Sequence, residues 1–214
     1  VGEIMASNPK WNQPIQQWEK YYFNWISVPE QQNLIDSSVF FDFRCIYGSE
    51  YLTEELRIFI HQTISKYPIF ISQMAMLTAN YKLPLGMFGK IQTESDELHS
   101  NSFNIKNAIR ILVNMVRLYA MKNNISATNT LERLDELKKM KAITANFHAE
   151  VRYSFTFMLN LQIANQAISA INGNKPDNYI QLNKLSTTEL ANLKNILSAI
   201  SSLQSNLKYD FGVN

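Results

Sequence analysis

The chain has 214 residues, 46% of them hydrophobic, and a formal net charge of +2. That is enough apolar material to fill a core, so disorder is excluded as the default, and too little positive charge to bind nucleic acid by bulk electrostatics. With 6 glycines the chain lies well under the usual share of about 7%, which favours helices over a turn-rich β protein, and its single Cys45 excludes an intrachain disulfide or a cysteine-based zinc site.

No apolar run reaches the roughly 18 residues a bilayer span needs, and no basic-then-apolar leader is present, so a soluble, cytoplasmic protein without a membrane partner is expected. The chain opens without an initiator Met, which suggests a piece of a longer protein.

Residues 14–26 read as a helix: Pro14 suits a first turn, and Trp18, Tyr21, Tyr22 and Trp25 recur at helical spacing as a core stripe. A short helix over 29–36 follows Pro29. Ser38 to Gly48 then reads as a strand, because Val39, Phe40, Phe41, Phe43, Ile46 and Tyr47 are types that favour a pleated surface. Cys45, inside that strand, is expected to be a buried, inert thiol. A carboxylate on a hydrophobic strand needs a partner. Either Asp42 pairs with Arg44 on the same face, or it points into a cleft and helps hold a divalent metal.

Helices are expected over 53–66, with Thr53 as N-cap, and over 68–80 after Pro68. Pro84–Gly89 reads as an ordered loop and residues 92–102 as a polar loop without period. Residues 104–122 form the clearest amphipathic helix, with Ile105, Ile109, Leu112, Val116 and Tyr119 on one stripe. Lys106, Arg110, Asn114 and Arg117 form a second stripe, either a solvated face or an anion-binding wall built on the planar guanidinium fork.

Asn129 with Glu132 caps a helix over about 130–140. Residues 144–171 form a long helix that is apolar on most sides and therefore expected to be central. Of its Arg152, Asn160, Gln162, Asn165 and Gln166, some either line a pocket or hydrogen-bond neighbouring loops. Ser186 and Glu189 make a strict capping box for a last helix, on which Leu193, Ile196, Ile200, Leu203 and Leu207 form a seam for bundle packing or a short coiled coil. His61, His99 and His148 lie far apart, and no phosphate loop or nucleophile elbow is present.

Five segments carry a resemblance: Ile4–Trp11 with Trp18; Phe40–Arg44 with Tyr47 and Gly48; Pro84–Gly89; Asn129–Leu134; and Leu161–Gln166. In this order and spacing the chain resembles the C-terminal part of bacterial nucleotidyltransferases similar to protein-PII uridylyltransferase, in which a catalytic core is followed by an all-helical substrate-binding domain. The resemblance implies a mainly α chain, with residues 1–50 as the C-terminal edge of the nucleotidyltransferase domain (helices plus one strand) and residues 51–214 as a helical substrate-binding bundle. It implies transfer of a nucleoside monophosphate from an NTP to a protein or small-molecule acceptor, with Mg²⁺ in the full-length parent and no tightly bound cofactor in this chain.

The family's Gly-Ser turn and Asp-x-Asp pair do not occur here, since Gly48-Ser49 is followed by Glu50, so these are expected upstream of Val1. Asp42 would then be a third metal carboxylate, with Arg44 orienting it or meeting a phosphate; Lys106, Arg110 and Arg117 are the substrate-binding candidates. Near Asn104–Lys106 the family's acidic residue is missing, and Leu161–Gln166 lacks its basic and His pattern. Expected partners are the upstream core and regulatory domains of the same protein, the nucleotide and the acceptor. The competing reading is a helical interaction, homodimerisation or ligand-sensing module without catalysis, using the Leu193–Leu207 seam or the aromatics near Trp11 and Trp18.

Overall fold

The structure, a computed structural model, describes residues 8–86, 89–94 and 100–213, with side chains given for all of these except residues 31, 35, 36 and 39. Residues 4–7 of the first resembling segment, Met87 and Phe88 of the Pro84–Gly89 loop, His99 and the Val39 side chain lie outside this description. Among the described residues the fold is mainly α, with eight α-helices and one two-stranded antiparallel sheet. Two compact units are present, one from residues up to Met74 plus Ser126–Thr128, the other from Ala75–Ile125 plus Asn129 onward.

In the first unit, α1 (Ile15–Ser27), α2 (Gln31–Phe40) and α3 (Glu50–Lys66) bury Tyr22, Trp25, Ile26, Leu34, Leu56, Ile60 and Ile64. The aromatic stripe is core in part: Tyr22 and Trp25 are buried and Trp18 and Tyr21 half-buried, with Trp18 stacked on Trp11 at 5.9 Å between ring centroids. The expected strand over Ser38–Gly48 is absent. Helix α2 runs on through Phe40, and residues 41–49 form an irregular link to α3. The phenylalanines that suggested a sheet pack on α1 and the turn before it instead: Phe40 lies 4.4 Å from Trp11 and 5.5 Å from Trp25, and Phe41 lies 5.6 Å from Tyr22. Their β preference is a preference for a packed surface, which a helix supplies here. Cys45 is half-buried in that link and not in a strand. The α3 helix begins one turn before Thr53, with Ser49 as its N-cap.

Helix α4 (Ile69–Ala79) leads into the second unit. Its centre is α5 (Ile105–Lys122), which buries Ile105, Ile111, Leu112, Met115, Val116 and Leu118 and touches α6 (Thr130–Lys139), α7 (Ala145–Ile171) and α8 (Thr187–Asp210). The caps read from sequence are present: the Asn129 Oδ1 accepts from the Leu131 and Glu132 amides, and Ser186 and Glu189 close a capping box. The Leu193–Leu207 seam is buried within the chain, so it is spent on this unit's own core and is not an exposed dimer surface.

Three-residue strands β1 (Ser102–Asn104) and β2 (Tyr179–Gln181) pair antiparallel, with Phe103 opposite Ile180, both buried. Residue Ser102 therefore leaves the expected polar loop to enter a sheet. Helix α7 is not the central helix its composition suggests, because His148, Val151, Ser154 and Met158 are its buried residues and none follows Met158. The polar residues of its second half bind the neighbouring loop: Gln162 and Gln166 donate to the Asn178 Oδ1 at 2.6 and 3.2 Å, and Asn165 donates to the Tyr179 carbonyl at 3.2 Å.

Candidate functional site

The first unit places Asp42 and Arg44 on the link between α2 and α3, both exposed. Arg57, about two turns into α3 and not singled out by sequence, organises this link. Its guanidinium donates to the Phe43 carbonyl at 2.5 Å and to the Ser126 carbonyl at 3.0 Å, and stacks 4.7 Å from the Phe43 ring. A concavity of about 540 Å³ opens there, lined by Arg44, Cys45, Glu50, Tyr51, Glu54 and Arg57. Tyr22, whose hydroxyl donates to the Phe40 carbonyl at 2.5 Å, is pushed well above the usual tyrosine range, first by burial; the Arg57 charge opposes the shift and the Asp42 charge adds to it. Among the described residues no group of three or more His, Cys, Asp or Glu could hold a metal ion. These side chains do not by themselves build a magnesium centre around Asp42.

The second unit divides the basic stripe of α5. Lys106 and Arg110 are exposed, with the Arg110 guanidinium 4.6 Å from the Tyr81 ring. Arg117 is 8% exposed and donates to the Asn114 Oδ1 at 2.7 Å, one turn back on the same helix. The four residues thus do not form one continuous solvated wall.

A concavity of about 880 Å³ in this unit lies where α5 and α8 end and α7 begins. Tyr119, Ala142, Ile143, Phe147 and Leu203 give it an apolar floor, and Lys122, Lys141, Glu150 and Asp210 give it charge. The size matches pockets that enclose small molecules. Burial, then the bond it donates to the Asp210 carboxylate, hold the Tyr119 hydroxyl far above its ordinary pKa, so it stays neutral. Lys122 donates to the Asp210 carbonyl at 3.0 Å and lies 4.8 Å from the Phe211 ring, which ties the ends of α5 and α8 together.

Lys141 has φ +59°, a left-handed conformation that a helix end usually gives to Gly or Asn. Strained non-glycine backbone of this kind collects at functional positions. A lysine where the cap expects glycine was the one sequence signal for this site; the other lining residues come together from segments with no common motif. Beside the site, Asp135 on α6 accepts from His148 at 2.7 Å and from Arg152 at 2.8 Å, an acid facing a basic pair spaced i, i+4 on α7.

The entire lining of this concavity falls within residues 68–211, the span matched by a family model described as "Putative nucleotidyltransferase substrate binding domain". The chain belongs to this family. A second model, described as "Putative nucleotidyltransferase DUF294", matches residues 1–32. No curated protein and no solved structure matches the chain. The Asp42–Arg57 region falls between the two matched spans, and Lys106, Arg110 and Arg117 fall within the substrate-binding domain. No helix among the described residues is long and apolar enough to cross a membrane.

Proposed function

We propose that this substrate-binding domain holds the acceptor of a nucleotidyl transfer in the Tyr119–Asp210 concavity. The reaction is of the protein-PII uridylyltransferase type, passing a nucleoside monophosphate from an NTP to a small molecule or a protein side chain. The observation that carries this reading is the concavity inside the family span, with Lys141 held there in a left-handed backbone conformation. Lys122 and Lys141 suit an anionic group on the acceptor, Glu150 a cationic one, and the Phe147 and Leu203 floor the apolar part between them.

The nucleotide and its Mg²⁺ belong, on this reading, to a nucleotidyltransferase core whose Gly-Ser turn and Asp-x-Asp pair do not occur in this sequence, with Asp42 as the candidate for its third metal carboxylate. In the first unit, exposed Asp42 and Arg44 are the candidates for meeting that nucleotide; in the second, exposed Lys106 and Arg110 are candidates for binding an anionic group of the substrate.

The test uses the parent protein with its core present, an NTP labelled at the α-phosphorus, and the acceptor as varied substrate. Lys141→Ala should raise the acceptor KM about tenfold, the loss of one charge-assisted contact, and leave the NTP KM within about twofold. Acceptor KM values untouched by both Lys141→Ala and Glu150→Ala would remove the concavity from the reaction.

A further inference from the structure

We propose that the outer face of α7 is a self-association surface on which a second copy of this chain docks helix to helix. From Tyr153 to Ile171 the helix carries no Asp, Glu, Lys, Arg or His, in a chain with 18% charged residues. In the second half of the helix the polar side chains Gln162, Asn165 and Gln166 turn inward and are spent on Asn178 and Tyr179. The apolar ones face out: Tyr153 is 55% exposed, Ile168 61% and Ile171 84%. This is the reverse of a surface helix, whose apolar stripe belongs against the core.

The outward residues also have an order. Tyr153, Phe157, Asn160, Ala164, Ala167 and Ile171 alternate in steps of four and three, the spacing at which one helix seats against another. Ala164 and Ala167 let two backbones approach to the 8–10 Å typical of packed helices, and Leu161 and Ile168 widen the stripe on one side.

The occupant follows from charge and area. An uncharged stripe meets its own image without like-charge repulsion, and two-fold pairing of identical patches is the commonest assembly of soluble chains. Asn160 is the one strongly polar group on the stripe, and such a residue fixes the register of a helix pair by bonding across it. The stripe is about 27 Å long. It offers on the order of 600 Å² per copy, so a pair would bury about 1,200 Å², the lower bound for a stable specific interface.

Sedimentation of the full chain from about 1 to about 100 µM tests this, the range in which an interface of minimal size assembles. The mass should rise from 24.7 kDa towards twice that value. Ile168→Glu and Phe157→Glu should each weaken the association at least tenfold with the circular-dichroism spectrum unchanged, while Ile46→Glu, at an exposed position of the first unit, should leave it intact. A chain that stays at 24.7 kDa throughout overturns the proposal, as does a dimer indifferent to both α7 substitutions or one dissociated by Ile46→Glu.

Discussion

Single side chains set the local chemistry of both units. The clearest case is Asp135, exposed on α6, whose carboxyl is held below its ordinary range, first by the bond from His148 and then by that from Arg152. A carboxylate whose pKa is lower folded than unfolded adds stability above its unfolded pKa, and that stability disappears as pH falls through the folded value. The α6–α7 link should therefore be intact at neutral pH and lost in acid below about pH 4. Asp135→Asn should lower the melting temperature at pH 7 and leave it unchanged near pH 2, so the two melting curves plotted against pH should converge in acid. Parallel curves would mean that the cluster does not couple to stability. The acid and the His148/Arg152 pair are visible in the sequence, but their meeting is not, because only the turn between α6 and α7 decides which faces oppose. Arg117 shows the converse: its helical spacing with Lys106 and Arg110 is correct, yet the curve of the bundle buries it.

At the scale of elements, periodicity and caps were the reliable signals. Helix α5 and the caps of α6 and α8 were legible because each depends on residues within one or two turns. The Ser38–Gly48 strand was misread because aromatic clustering reports a packed surface without saying whether the partner is a sheet or a helix. The true strands, β1 and β2, are three residues each and paired across the whole of α5 to α7, so no local pattern announces them. One side chain ties distant elements in the same way: Gln204 on α8, 7% exposed, donates to the Thr78, Ala79 and Tyr81 carbonyls at 3.1, 3.3 and 3.0 Å and so closes the C-terminal end of α4. Gln204→Leu would leave those carbonyls without this donor in a buried place, at a cost of about 1–3 kcal/mol. Urea denaturation should show it as a lower midpoint with an unchanged slope.

For the molecule as a whole, composition gave the class and little else. Few glycines and a balanced charge pointed to a helical fold, and the structure has one, but the concavity at Tyr119 and Asp210 is assembled from side chains far apart in sequence and left no trace in composition. Charge does fix one bulk property. The sequence pI is about 8.5, so net repulsion between molecules is weakest near that pH. Light scattering should find the strongest attraction between molecules at about pH 8.5 and a marked weakening by about pH 6.5, well below the pI, where the molecules share a net positive charge. The charge-free length of α7 also has a consequence for dissecting the protein by proteolysis. Trypsin cuts after lysine and arginine, and it has nothing to cut between Arg152 and Lys175, so a tryptic fragment map is blind to whether this helix is covered or bare. Chymotrypsin, which cuts after Tyr153 and Phe157, sees that difference, and the comparison of the two digests reads out the occupancy of a single helix face.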